Sequence, residues 1–316
     1  MSDPIHNASV DALRPGNGPA VIAIGNFDGV HQGHVTLFDQ ARQLADRGGW
    51  PCIALTFDPH PRQFFAEDPD PFLIQSISQR ARMIIEAGMD RVIILAFDDQ
   101  LANMTAKSFI DEILVNRLLA RHVVVGDDFT FGHRAAGDIN TLRTADEFDT
   151  HAMPLLSGLD GDPISSTRIR GMIRDGDMGS AINLLGHPWV LSGQVVKGDR
   201  RGTTIGFPTA NVPYPEHVIR PPFGVYATRI QINGIWYDGV ANIGIRPTYP
   251  LDRPLIEVYI FNFDRNIYGN KIRVAPMEII RAERHFDGPE SLKNQLEQDK
   301  KRAKEILQNA RYITSK

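Results

Sequence analysis

Four short apolar runs occur in the first 126 residues: AVIAI (20–24), CIALTF (52–57), RVIILAF (91–97) and HVVVG (122–126). None of them alternates with polar residues. A strand that is apolar on both faces must be buried on both, and a parallel sheet covered by helices meets that condition. Between the runs lie segments of helical period, VTLFDQARQLADRGG, ISQRARMIIEAG and TAKSFIDEILVNRL, as crossover connections require. In the first of these, Val35, Phe38, Ala41, Leu44 and Ala45 recur at helical spacing, and Gly48 and Gly49 mark its end. The expected fold of this half is a doubly wound parallel α/β domain. Ligands in such sheets bind outside the carboxyl ends of the strands, where GNFDGVHQGH (25–34), FDPHP (57–61) and GDDFTFG (126–132) all fall.

The pattern changes after about Gly186. From Trp189 onward short alternating segments, VLSGQVV, FPTANV, GVYATRIQI, IWYDGV and IEVYIFNF, are separated by Gly, Pro and Asn turns. They predict a small antiparallel β-barrel or sheet. PESLKNQLEQDKKRAKEILQNAR follows as an amphipathic helix with Leu292, Leu296, Ala303, Leu307 and Ala310 near one face. Two domains, 1–186 and 187–316 with LLGHPW as the hinge, suit a chain of 316 residues.

A composition of 42% hydrophobic and 23% charged residues is that of a folded globular protein. The net charge of −4 argues against general binding to nucleic acid or a membrane surface, so small-molecule partners are expected. Cys52 is the only cysteine, which excludes an intrachain disulfide or a multi-thiolate site and fits a reducing cytoplasm. No leader-like start is present, and no apolar run reaches the roughly 18 residues of a membrane span.

GNFDGVHQGH places His31 in a loop and His34 at the start of the first helix, with Asn26 and Asp28 in the turn and Gly25, Gly29 and Gly33 between them. A helix amino terminus favours an anion, so a phosphate cradle ranks above a metal site, which needs a third ligand and finds only Asp28 nearby. An ordinary polar turn carrying two histidines is the plainer alternative. A second cluster, ISSTRIR (164–170), offers three hydroxyls and two guanidinium groups at a helix start. Ser165 or Ser166 could be a simple cap; Arg168 is the expected phosphate ligand, and Arg170 lies on the other flank of the apolar face.

The HxGH motif with ISSTRIR resembles the nucleotidyltransferase superfamily. IGNFDGVHQGH, TFDPHP, VVVGDDFTFG and ISSTRIR together resemble the adenylyltransferase half of bacterial FAD synthetases. That resemblance implies attack of the FMN phosphate on the α-phosphorus of ATP, with charge building on the phosphoryl oxygens and on departing pyrophosphate. His31 and His34 would serve the α- and β-phosphates, with Gly25, Asn26 and Asp28 in the nucleotide turn. Arg168 with Ser165, Ser166 and Thr167 would hold pyrophosphate. Asp58, His60, Asp128 and Phe129 would line the flavin or adenine side, with loop capping and packing as the equal alternative for these four.

In the second half, GQVVKGDRRGTTIGFPTANV (193–212) sets Lys197, Arg200 and Arg201 among Gly198 and Gly202. This could be a basic loop over a triphosphate or a solvated turn. If Thr209 and Asn211 lie in a strand, their oxygens share one side about 7 Å apart, which suits a hydrated Mg²⁺ or merely a polar strand face. In IEVYIF, Glu257 cannot share the face of Ile256, Val258 and Ile260. GFPTAN, with VVKGDRRG, FGVYA, GVANIGIRPT and IEVYIFNFDRNIYG, resembles the riboflavin kinase family. The resemblance implies ATP and Mg²⁺ meeting at Thr209 and Asn211 and Glu257 as catalytic base. It also places Lys197 and Gly202 at the nucleotide and Tyr268 at the flavin.

The expected function is therefore bifunctional: riboflavin to FMN in the second domain and FMN to FAD in the first, with ATP as co-substrate of both. Two alternatives compete. A flavin-responsive regulator that lost one activity would lack HxGH, ISSTR or Glu257, and all are present. A fragment of a class I aminoacyl-tRNA synthetase would need a basic RNA-binding face, against the acidic balance.

Overall fold

The computed structural model describes residues 3–14, 16–67, 70–198, 206–245 and 254–309. Packing divides the chain into two units, Met1–Asp70 with Ile77–Ser166, and Pro71–Ser76 with Thr167–Lys316.

The first unit is built on strands β1 (Ile5–Ala8), β2 (Ala20–Ile24), β3 (Cys52–Asp58), β4 (Arg91–Ala96), β5 (Ala120–Gly126) and β6 (Asp149–Met153). They lie side by side in the order β1-β4-β3-β2-β5-β6, every neighbouring pair parallel. AVIAI is β2 and is buried at every position, because each face has its own layer. Val21 and Ala23 pack with Phe38 and Ala41 of the helix Gln32–Gly48 and with Ala81 and Ile84 of the helix Ile77–Glu86. Ile22 and Ile24 face the other way, into a cluster with Phe109, Ile113 and Leu114. Full burial of an isoleucine side chain is worth about 1.5–3 kcal/mol, so two apolar stripes commit β2 to the sheet's centre.

Two features differ from the sequence pattern. TAKSFIDEILVNRL is not one α-helix: after Ala106–Ser108, residues Phe109–Arg117 wind as a π-helix, with the Leu118 N–H donating to the Ile113 carbonyl at 2.9 Å. The wider turn brings Phe109, Ile110, Ile113 and Leu114 to one buried side. The strands β1, IHNA, and β6, DTHAM, are the sheet's two edges. An edge strand buries less of its surface, so polar residues interrupt it and no apolar run announces it.

From β2 the chain steps to β3 on one side, whereas β5 lies on the other. The carboxyl ends of β2 and β5 thus flank the point where the winding reverses, the position at which open α/β sheets bind ligands. GNFDGVHQGH follows β2 and GDDFTFG begins at the end of β5.

The second unit is a β-barrel of β7 (Leu191–Gln194), β8 (Ala210–Pro213), β9 (Gly224–Ile232), β10 (Ile235–Ile245), β11 (Pro254–Ile260) and β12 (Lys271–Ala282). The order is β7-β12-β9-β10-β11-β8, all antiparallel. A bridge between Val196, just past β7, and Asn211 of β8 joins the two ends of the row. Asn233 and Gly234, with φ of 49° and 84°, form the two-residue turn between β9 and β10, as a tight hairpin requires.

The helix Pro289–Asn309 lies on β9, β10 and β12. Ala303, Ile306 and Leu307 are buried, Leu292 and Leu296 half-buried, and Ala310 falls outside the described residues. Its buried face also carries Asp299, 1% exposed, which accepts from Arg281 Nε and Nη2 at 2.8–3.1 Å. Arg170 anchors Pro71–Ser76: its Nε donates to the Phe72 carbonyl at 2.9 Å and its guanidinium lies 4.8 Å from the Phe72 ring centre. Trp189 Nε1 donates to the Ile74 carbonyl at 2.7 Å. Among the described residues no helix is long and apolar enough to cross a membrane.

Candidate functional sites

In the first unit the chain leaves β2 at Gly25, whose N–H donates to the Leu55 carbonyl at 3.2 Å. It then makes a turn with φ of 49° at Phe27, 91° at Gly29 and 43° at Val30. Left-handed backbone at a β-branched residue is an outlier costing on the order of 1–3 kcal/mol, and it persists only where the surroundings over-determine it. Here they do. Phe27 and Val30 are buried, and the Phe27 ring packs edge-on against Phe38 at 4.8 Å and His34 at 5.3 Å. The Asn26 carbonyl accepts from Thr56 Oγ1 at 3.1 Å and from Arg80 Nη1 at 2.8 Å.

The turn delivers His31 to the amino end of the helix Gln32–Gly48, where its imidazole does not cap the first turn. The His31 and His34 rings stack with centroids 3.6 Å apart and planes 18° apart. Gly33 leaves room for that stack, since a Cβ there would lie 3.2 Å from His31 Nδ1. The result is two imidazoles over a helix amino terminus, an arrangement suited to phosphate oxygens. Asp28 is buried, and its carbonyl accepts from Ser166 Oγ at 2.7 Å. That bond brings Ser166 to the GNFDG turn. Ser165 and Arg168 are half-buried and Thr167 is exposed.

The flavin-side candidates divide. Asp58 closes β3, and its carbonyl accepts from the Phe97 N–H at 3.0 Å. His60 Nδ1 accepts from the Arg62 N–H at 3.1 Å at the start of Pro61–Phe64, which is the capping arrangement. Asp128 is exposed beyond β5. Phe129 is half-buried and stacks on Phe131 at 5.6 Å.

In the second unit the burial of β11 alternates: Ile256, Val258 and Ile260 are buried, whereas Glu257 is half-buried on the opposite face. Asn211 is the cross-strand partner of Glu257 on one side and Asn242 on the other. Residues directly opposite in an antiparallel pair share a face, so Asn211, Glu257 and Asn242 form one polar row. Thr209 lies two residues before Asn211. Thr209 and Tyr268 line one cleft with Val195, Val258, Ile260 and Phe263. Hydroxyl, amide and carboxylate oxygens are the donor types that a hard divalent cation such as Mg²⁺ takes.

Lys197 is exposed, and Gly198 lies against Asn211, whose Nδ2 a Cβ at position 198 would overlap. Gly202, with Arg200 and Arg201, lies outside the described residues. The sequence motifs do not single out Asn242, whose Nδ2 donates to Glu283 Oε1 at 3.1 Å. Its one signal is an amide inside the otherwise small and apolar stretch GVANIGI. Thr56 opens TFDPHP but reads as strand interior, and Arg80 falls in no motif and reads as helix interior.

The family model for FAD synthetase matches residues 14–168, and that for riboflavin kinase matches residues 185–307. The bifunctional riboflavin kinase/FMN adenylyltransferase of Bacillus subtilis is 38% identical over 300 residues, covering 92% of this chain and 94% of that protein. The protein of the same description from Escherichia coli K12 is 39% identical over 310 residues, covering 96% of each. A crystal structure described as a macrolide-efflux protein from Streptococcus pneumoniae matches with a TM-score of 0.86 and 31% identity, over 96% of this chain and 99% of that one. Two modules in this order, matched at this identity over nearly the full length, place the chain in the family of bifunctional riboflavin kinase/FMN adenylyltransferases.

Proposed function

We propose that the polar row of the barrel is the site at which riboflavin becomes FMN, and that the stacked histidines of the first unit serve the conversion of FMN to FAD. ATP is the co-substrate of both reactions. The functional boundary in this reading falls between residues 186 and 187.

In the kinase reaction Glu257 accepts the proton of the terminal ribityl hydroxyl as that oxygen attacks the γ-phosphorus and ADP departs. Thr209 and Asn211 hold Mg²⁺, which, when bound, offsets the charge of the phosphates. Lys197 and Gly202 serve the nucleotide and Tyr268 the flavin. The observation that carries the reading is the direct cross-strand pairing of Glu257 with Asn211, which sets the base beside the amide proposed to hold the metal.

In adenylyl transfer an oxygen of the FMN phosphate attacks the α-phosphorus, and the bond to the β-phosphate oxygen breaks. His31 and His34 donate to the α- and β-phosphate oxygens, with Gly25, Asn26 and Asp28 shaping the turn. Arg168, Ser165, Ser166 and Thr167 receive pyrophosphate. Asp58, Asp128 and Phe129 face the flavin, and His60 supports them through its cap. The buried single cysteine and the small-molecule substrates suit the cytoplasm as the working compartment.

Incubation with riboflavin, ATP and Mg²⁺, followed by separation of the flavins, tests the assignment. Glu257→Ala should lower FMN formation by roughly 10²- to 10⁴-fold while FAD still forms from supplied FMN. His34→Ala should halt the sequence at FMN, with FAD formation down about 10²- to 10³-fold. Loss of both activities from either single substitution in folded protein would overturn one reaction per unit.

A further inference from the structure

Thr56 opens TFDPHP without an assigned role and Arg80 lies outside the motifs, yet both converge on one atom of the GNFDG turn. Thr56 is in β3 and Arg80 in the helix Ile77–Glu86, and each is 0% exposed. The Thr56 hydroxyl and the Arg80 guanidinium donate to the same carbonyl, that of Asn26, at 3.1 and 2.8 Å. A fully buried guanidinium is costly to place, and a hydrogen bond to a charged donor is about twice as strong as a neutral one. Asn26 Oδ1 is itself buried and has no hydrogen-bond partner among the described residues. The backbone of Asn26 is thus fixed from two elements, while its side-chain acceptor is left for another group. The next residue, Phe27, is the first of the turn's left-handed positions, and the turn ends at His31.

We infer that Thr56 and Arg80 are positioning residues for adenylyl transfer: together they clamp the Asn26 carbonyl and so hold the turn that aims His31 and His34. The clamp touches neither substrate nor the reacting atoms. It acts through geometry, and a displacement on the order of 1 Å in a positioning group can lower turnover by about 10²-fold. This inference rests on the reading of the GNFDG turn as the nucleotide site.

The test uses the full-length protein with Thr56→Val, which keeps shape and removes the donor, Thr56→Ser, which restores it, and Arg80→Met. FAD formation from FMN is measured as kcat and KM, and FMN formation by the same sample is the internal control. Thr56→Val should lower kcat for FAD formation at least about tenfold with KM for FMN little changed. Thr56→Ser should recover most of that loss, and the kinase rate should not move. Where Arg80→Met does not yield folded protein, the threonine pair carries the test. An unchanged kcat in Thr56→Val, an equal fall in both activities, or failure of serine to rescue overturns the clamp. His34→Ala separates the two ideas. If it leaves FAD formation intact, the nucleotide-site reading fails; if it abolishes FAD formation while Thr56→Val is unaffected, only the clamp fails.

Discussion

A methyl group at position 198 would collide with the proposed metal ligand of the kinase site, and the size of that collision sets an expected rate. In Gly198→Ala the new Cβ would stand 2.7 Å from Asn211 Cγ and 3.2 Å from its Oδ1, overlapping Nδ2. Ordinary carbon–carbon contact begins near 3.5 Å, so clearing Cγ alone requires the amide to retreat by about 0.8 Å, and the overlap with Nδ2 requires more. Asn211 is 6% exposed and bridged to Val196 through its backbone, so its short side chain has little room to yield. A misplacement near 1 Å at a positioning group costs about 10²-fold in turnover, or about 2.7 kcal/mol of barrier. The expected outcome is FMN formation reduced about 10²-fold in kcat, with FAD formation from supplied FMN unchanged in the same preparation. Steady-state flavin chromatography with riboflavin and then FMN as substrate measures both. Thermal unfolding followed by circular dichroism checks that the variant is folded. A kcat for FMN formation within about threefold of the parent, less than 1 kcal/mol of barrier, would refute the claim that Asn211 must hold its present place.

Stability should depend on pH through a histidine far from either reaction. Burial, then the neighbouring His151, depress the pKa of His122 against the opposing pull of Asp149, and His122 Nδ1 lies 3.1 Å from His151 Nε2. The unfolded chain therefore takes up this proton at higher pH than the folded one. The stabilisation is present above about pH 6.5 and is lost as pH falls through the folded pKa. Urea midpoints measured across this range should show the fall, and His122→Gln should flatten it; an equal slope in the variant would refute the assignment. In the barrel, Asp299→Ala strands Arg281 beside a buried helix face. It should lower stability by about 3–5 kcal/mol, read from denaturant midpoints, whereas a change under 1 kcal/mol would show that water reaches the pair.

The sequence exposes the sheet's centre and hides its margins, for a physical reason. β2, β3, β4 and β5 advertise themselves because burial on both faces keeps their central residues almost wholly apolar. β1 and β6 carry His6, Asn7, Asp149 and His151 because edges are half-solvated. The π-helical stretch reads from sequence as ordinary helical period, because the i, i+1, i+4 and i+5 spacing of Phe109, Ile110, Ile113 and Leu114 suits one face of an α-helix as well as the wider turn. The barrel strands and the last helix are legible from alternation and amphipathicity. The aspartate in that helix's buried face is not, since its partner Arg281 is 18 residues away in sequence.

The two sites separate along the same line. Motif residues that a strand end or a helix start presents directly, such as His31, His34 and Thr209, can be placed by counting along the chain. Partners supplied by register cannot. Glu257 is 46 residues from Asn211, and nothing local to either says they are opposite one another; only the pairing of β11 with β8 makes them neighbours. The same holds for Thr56 and Arg80, which are 30 and 54 residues from the carbonyl they share. A short motif therefore records the groups facing a ligand, and the fold supplies those that hold them still. Exchanging GNFDGVHQGH into another parallel sheet without donors at the Thr56 and Arg80 positions should carry over the histidines but not their stacking.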